Sequence, residues 1–347
     1  MIIYLFVFSI SLLFTKLASK KGANLFTHAF ALALPVVLLT FRAPSVGTDT
    51  PSYIGIFESS AEFDTWINYL LFSRIEPGFS TLMFIIDRCG GNVNWTYFAC
   101  ALLCIVPVYI GCMKLKHRIS PVYSMALYFF MFYHYTFNIV RQSIAMSLLF
   151  LAMVYLLSGK KKHAIFVWLI AISFHNVALV FILLYLLYIY KDLNRATRNR
   201  ALFASIFILS AILYYNQAYY ASSIEYYSQT YLESGKVGMQ LSYLGEMMLN
   251  FAIVYLAWKR RKDEFRFFLM IAGSVLFFIS ISNLGPFLFR VANCLDIFLL
   301  IYIPLALKSL SPSRKLNTCY MCFAVFYWLF VFVYNNSGET IPYILNY

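Results

Sequence analysis

Residues 95–118 read WTYFACALLCIVPVYIGCMKLKHR. A bilayer-spanning helix needs about 20 consecutive apolar residues, and the run from Trp95 to Met113 meets that length. Lys114, Lys116 and Arg118 follow at once. Basic residues in short loops mark the cytoplasmic side of a membrane. The same grammar, an apolar run followed by a short basic turn, recurs along the chain and decides the fold class. Apolar runs lie at about 1–15, 24–41, 95–113, 122–137, 140–157, 163–174, 177–190, 201–218, 241–257, 266–282, 287–306 and 318–334, with a shorter run at 78–87 after Pro77.

Composition agrees. The 347 residues are 62% hydrophobic, 20% aromatic and only 12% charged, where a soluble domain carries about 25% charge. So little charge cannot cover a water-soluble globule of this size, and the same figures exclude a disordered chain and a secreted disulfide scaffold. The reading is an all-α polytopic integral membrane protein forming a single domain over 1–347. Met1–Thr15 lacks a basic leader and a small-residue cleavage site, and reads as a retained first helix. Of the seven cysteines, six lie in or beside apolar runs, and Cys319-Tyr-Met-Cys322 has no second pair to complete a metal site.

The net charge of +13 could suggest a nucleic-acid partner, but 21 of the 27 Lys and Arg fall in six clusters between apolar runs. These clusters are topology signals, and no nucleic acid is expected. They also set the crossing count by parity. Residues 16–23 and 114–121 both carry clusters, so the chain between them crosses an even number of times. The short run 78–87 is then a re-entrant or interfacial half-helix, and residues 42–94 form one long outer loop. Residues 163–190 likewise lie between two clusters, which requires two short helices turning at Phe174-His175-Asn176 and puts His175 on the outer face. The sum is about 12 transmembrane helices, with outer loops 42–94 and 219–240 and an outer tail, 335–347.

Six cations remain outside the clusters: Arg42, Arg74, Arg88, Arg141, Lys236 and Arg290. Five are arginine, whose planar fork of donors suits a phosphate or a carboxylate. In the long loop, Asp49, Glu58, Glu62, Asp64, Glu76 and Asp87 offer structural partners. Arg141 and Arg290 each start an apolar helix on the outer side with no acid within four residues, and an ionisable residue in that setting is a functional candidate. His175 could act as a base or donate to a phosphate. Glu246 and Asp296 lie inside apolar runs, where ion pairing, substrate binding and proton transport are the open readings. Seven tyrosines between Tyr214 and Tyr231, among them Tyr226 and Tyr227, suit a membrane interface or a carbohydrate surface. Hydrolase, NTPase and dinucleotide motifs are absent.

The passages Gly47-Thr-Asp49-Thr-Pro-Ser-Tyr53 and Glu76-Pro77-Gly78-Phe79 resemble the first outer loop of EpsG-type polysaccharide polymerases, which group with the Wzy O-antigen polymerases. Phe137-Asn138-Ile-Val-Arg141-Gln142, Phe174-His175, Phe289-Arg290 and Ile341-Pro342-Tyr343 are similar to later motifs of that family, in the same order. Asn176 departs from the small residue or proline usual after the histidine.

The resemblance implies a GT-C-like glycosyltransferase of the bacterial inner membrane, with its active site facing the periplasm. It would transfer a growing glycan from undecaprenyl pyrophosphate to the non-reducing end of a lipid-linked repeat unit, with no cofactor or metal and with a chain-length regulator as partner. Arg141 and Arg290 would then stabilise the leaving pyrophosphate. His175 would be the base or a further phosphate contact, with Asp49 and Glu76 as rival bases. Arg42, Arg74, Arg88, Asn138, Gln142, Tyr53, Tyr226 and Tyr227 would bind substrate. An O-antigen ligase is the nearest enzyme alternative, and a lipid-linked oligosaccharide flippase or other transporter is the alternative from another class.

Overall fold

The structure, a computed structural model, describes residues 1–189, 241–282, 286–311 and 313–346. The loop 219–240, with Tyr226 and Tyr227, and the run 201–218 lie outside the described residues. Among those described there is no sheet, only an isolated antiparallel bridge between Arg42 and Leu345. The chain gathers into two compact units: residues 1–176 with 313–347, and residues 177–312.

The first unit holds α1 (Ile2–Ala18), α2 (Leu25–Thr40), α3 (Thr50–Ser60), α4 (Trp66–Phe72), α5 (Pro77–Arg88), α6 (Val93–Lys114), α7 (Pro121–Met131), α8 (Tyr135–Asn138), α9 (Val140–Leu157) and α10 (Lys161–Phe174). Local sequence sets these starts. Asn24, Thr65, Asn92 and Ser120 accept from main-chain N–H groups of the first turns of α2, α4, α6 and α7, as capping residues do. Proline opens α5 and α7 and sits in the first turn of α3, where its missing N–H costs nothing. The segment 42–94, expected to be an outer loop with one half-helix, carries three short helices, because Pro51 and Thr65 start two more.

The second unit holds α11 (Phe181–Ile189), α12 (Leu241–Arg260), α13 (Lys262–Ser280), α14 (Pro286–Asp296) and α15 (Leu299–Leu310). The chain then returns to the first unit as α16 (Lys315–Trp328), which widens into a π-helical turn over Leu329–Tyr334.

Among the described residues, three helices are long and apolar enough to cross a bilayer: Val93–Lys114, Val140–Leu157 and Lys315–Tyr334. Phe287–Asp296 and Leu299–Leu310, bent by 50°, add a fourth if the pair is one span. Ile2–Ala18, Leu25–Thr40, Pro121–Met131 and Asn176–Ile189 are shorter apolar helices. The run 122–137 is broken after Met131, and 287–306 is broken after Asp296. At Phe174-His175-Asn176 the helix is interrupted, with His175 in extended backbone at φ −162° and ψ 129° between α10 and a 3-10 turn.

Helix α9 is buried along nearly its whole length. Gly111 of α6 lets it approach, since a Cβ there would lie 2.5 Å from a Phe150 ring carbon. The proline break in α2 is made good by a hydroxyl. Pro35 lacks the N–H that would bond the Ala31 carbonyl, and Ser11 of α1 donates to that carbonyl at 2.5 Å.

At one end of this unit the tail folds back over the helices. Ala43 N–H donates to Ile344 and Asn346 N–H to Phe41, both at 2.9 Å. His134 is the joint. Trp328 Nε1 donates to its Nε2 at 2.8 Å, which leaves Nδ1 as the protonated nitrogen, donating to Thr340 Oγ1 at 2.6 Å. Its ring stacks on Phe332 with centroids 4.7 Å apart. Replacing His134 by Ala should orphan the Trp328 donor and open a void, destabilising the fold by about 2–4 kcal/mol. Thermal unfolding of the purified protein measures this, and an unchanged transition would show that the tail is held by other contacts.

Candidate functional site

The same end of the first unit collects several of the residues singled out by sequence. Asn138, closing α8, lies between two glycines with positive φ. A Cβ on Gly47 (φ +94°) would lie 3.0 Å from Asn138 Oδ1, and one on Gly338 (φ +78°) would collide with its amide nitrogen. Only glycine fits both the backbone and the space. Asn138 Nδ2 donates to the Gly338 carbonyl at 3.1 Å, and Oδ1 accepts from Thr48 Oγ1 at 3.1 Å and from Asp49 N–H at 3.5 Å. The single Thr48 hydroxyl proton is shared between that oxygen and Asp49 Oδ1, 3.2 Å away. One amide side chain thus joins the tail, the start of α3 and the approach to α9.

Tyr53 ties α3 to α9 directly, since Val140 N–H donates to its hydroxyl at 3.0 Å. Burial pushes the Tyr53 phenol up to about 12; the nearby Arg141 charge pulls the other way and Asp49 adds to the rise. Tyr53, Asp49 and Arg141 therefore share one electrostatic neighbourhood.

Arg141, in the first turn of α9, forms an ion pair with Glu76, the residue before α5. Sequence distance hid this partner, 65 residues away. Among the described residues it is the most sheltered of the ion pairs, with side chains 26% and 10% exposed; Arg88–Asp87 is 44% and 19%, and Arg261–Glu264 is 59% and 38%. Shelter matters because exposed pairs contribute about 0–1 kcal/mol. Glu76 is positioned by α5, whose Gly78 presses on α10: a Cβ at Gly78 would lie 2.8 Å from the Ser173 carbonyl oxygen. Ser173 is two residues before His175, which is buried at 4% exposure. The contact brings the His175 end of α10 to the Glu76 end of α5.

Other candidates stand apart from this cluster. Arg42 is buried, its guanidinium 4.3 Å from the Tyr97 ring centroid and 5.3 Å from that of Phe137, with a 3.5 Å bond to the Thr136 carbonyl. Burial pulls its pKa down from the ordinary value. Arg74 is exposed, with φ at 52°. Arg88 donates to the Phe63 carbonyl, lies 3.8 Å from Asp87 and covers the Phe84 ring, the contacts of a loop staple. Gln142 is buried beside Met146. Arg290 sits one turn inside α14 of the second unit, half-buried.

In that unit Glu246 and Asp296 are both buried and close enough for each to feel the other's charge. Asn250 donates to Glu246 and Tyr302 to Asp296 at 3.4 Å.

Sequence reading missed Thr48, Ser173 and Gly338 as supports. Gly338 had a usable signal, the turn-forming string Asn335-Asn336-Ser337-Gly338, while the Gly78–Ser173 contact had none.

Two stability measurements follow. A double-mutant cycle on Glu76→Gln and Arg141→Gln should give a coupling of about 0.5–3 kcal/mol; additive effects would mean that the pair does not bind α5 to α9. Gly78→Ala should overpack the α5–α10 contact and cost about 1–3 kcal/mol, and wild-type unfolding would show that α5 yields freely.

No curated protein and no solved structure matches the chain. The EpsG family matches residues 24–345, a range containing every element of the cluster just described. The chain belongs to the EpsG family.

Proposed function

We propose that this EpsG-family protein is a polysaccharide polymerase of the bacterial inner membrane. It transfers a growing O-antigen or exopolysaccharide chain from undecaprenyl pyrophosphate to the non-reducing end of a lipid-linked repeat unit at the periplasmic face. Its described units belong to one integral domain of about twelve spans, GT-C-like in architecture, working with a chain-length regulator. The observation that carries the reading is the sheltered Arg141–Glu76 pair, set at a helix start beside Asp49, Tyr53 and Asn138 in a chain whose other charges mostly lie in basic turns.

In the reaction an acceptor hydroxyl attacks the anomeric carbon of the donor glycan. The bond from that carbon to the pyrophosphate oxygen breaks, and the oxygen keeps the electron pair. The hydroxyl proton passes to a base. Arg141 offers five N–H donors, of which Glu76 engages Nη1, and it is suited to the charge that develops on the leaving group. A donor already held in place costs no reorganisation at that moment. Arg290 is the second proposed phosphate-binding group. His175 is the proposed base or a further phosphate contact, and Asp49 is its rival. Energy comes from the pyrophosphate leaving group, so no nucleotide or other cofactor is required.

The test is the glycan banding pattern of a deletion strain complemented with wild type, Arg141→Ala, Arg290→Ala or His175→Ala, each at normal expression. A single-repeat band in the deletion, restored to a ladder by wild type, is the polymerase result. Each variant should lower polymerisation by about 100–1,000-fold, and a wild-type ladder from His175→Ala would remove that residue from the mechanism. Lipid-linked polymer that never reaches the lipid A core would instead make the protein a ligase. No extended product on the outer face would make it a flippase.

A further inference from the structure

At the start of α2, where the turn after α1 meets the end of α6, the chain encloses a cleft of about 420 Å³. Three lysines line it, Lys20, Lys114 and Lys116. No carboxylate lines it, and the sequence has none anywhere in residues 1–48 or 88–191, so these charges have no acid from their own elements to neutralise them. His28 and Tyr109 also line the cleft and are hydrogen-bonded to each other, Nδ1 to hydroxyl, at 2.8 Å. Gly22, at φ +81° and with open space where a Cβ would stand, keeps the approach to the α2 N-terminus clear. That terminus adds a partial positive charge of its own.

The surroundings are apolar to an unusual degree. Leu25 is 82% exposed, Phe26 73% and Phe30 54%, all on the first turns of α2. Phe30 stacks on Phe14 of α1 with centroids 5.2 Å apart, which extends the apolar surface onto the neighbouring helix. A cationic hollow bordered by exposed apolar side chains is complementary to one kind of molecule, an anion carried on hydrocarbon. Basic pockets at the cytoplasmic ends of membrane helices suit lipid head groups on these grounds, and lysine serves there as a point charge for phosphate.

We infer that this cleft binds the phosphate head of an anionic membrane lipid, with Lys20, Lys114 and Lys116 holding the phosphate and Leu25, Phe26 and Phe30 lying along the acyl chains. The site is separate from the proposed transfer chemistry. Helix α2 is about 24 Å long, and Arg42 and the Asn138 cluster lie beyond its other end. Lipid binding at the cleft therefore stands whether or not the polymerase reading does.

The experiment uses the full chain purified in a non-ionic detergent, titrated with phosphatidylglycerol, phosphatidylcholine or glycerol 3-phosphate and read by native mass spectrometry. Phosphatidylglycerol should bind in preference to phosphatidylcholine. The triple variant Lys20→Ala, Lys114→Ala, Lys116→Ala should weaken that binding on the order of 100-fold, at roughly a factor of five or more per lysine. The triple replacement by arginine should retain it. Lys160→Ala, Lys161→Ala, Lys162→Ala, in another basic turn, should leave it unchanged. All variants must elute as wild type does, so that loss of binding is not loss of fold. Undiminished binding in the alanine triple, or equal loss from both clusters, would overturn the site. Glycerol 3-phosphate binding as tightly as the lipid would overturn the lipid assignment in favour of free phosphate.

Discussion

A main-chain carbonyl shut away from water must find a donor, and within hydrocarbon there is no other source than the protein itself. The first unit meets part of this demand with side-chain hydroxyls. Ser11 serves the Ala31 carbonyl that Pro35 leaves without its N–H, and Tyr133 serves the carbonyl of Pro35 itself at 2.7 Å. Ser147 and Tyr128 both donate to the Cys104 carbonyl within α6, at 2.5 and 3.0 Å. Tyr4 reaches the Thr340 carbonyl at 2.6 Å and Tyr343 that of Leu38 at 2.9 Å. Tyrosine is well fitted to this duty, since its ring packs among apolar neighbours while its hydroxyl spans to a distant carbonyl. Tyr4, Tyr128, Tyr133 and Tyr343 therefore have structural work as well as whatever contact tyrosines make with a membrane interface or a sugar.

These bonds form a continuous support for the polar cluster. Tyr4, His134 and Trp328 hold Thr340 and the tail; the tail presents Gly338 to Asn138; Asn138 holds Thr48 and the backbone of Asp49; Tyr53 receives the first N–H of α9. Arg141 is the next residue. Its position is set by elements from both ends of the sequence, which is what a charge-stabilising group needs if it is to be in place before the charge develops. The α5–α10 contact through Gly78 adds a second fix, from the side of Glu76.

Much of this was legible in one dimension. Apolar length and basic turns predict the helices, and charge parity predicts the break at His175, because both rest on local composition. The breaks after Met131 and Asp296 were not foreseen. Phe132, Tyr133, Ile297 and Phe298 are as apolar as their neighbours, and hydropathy does not register where a helix stops if the side chains stay the same. The site was half legible. Arg141 could be chosen by type and position, and Asp49, Tyr53 and Asn138 by the resemblance of their motifs. Their mutual arrangement depends on contacts such as Arg141–Glu76 and Asn138–Gly338, which span 65 and 200 residues and leave no trace in local pattern.

The two arginines at this end show why type alone does not assign a role. Both Arg42 and Arg141 lie outside the basic clusters. The Arg42 guanidinium is enclosed by Tyr97 and Phe137 and bonds the carbonyl of Thr136, so its donors face the interior of the fold. That is the geometry of a cation–π brace, suited to holding the loop after α2 against α6 and α8. Arg141 is a quarter exposed and shares its charge with a carboxylate from a different element. The pairing bears on the base as well. Glu76 Oε2 is engaged by the guanidinium, and taking up a proton there would dismantle the contact that positions Arg141. A catalyst that needs Arg141 fixed during proton transfer is better served by a base outside the pair. Within the proposed mechanism this moves the weight from Glu76 to His175 and Asp49, and leaves Glu76 as the group that aims the arginine.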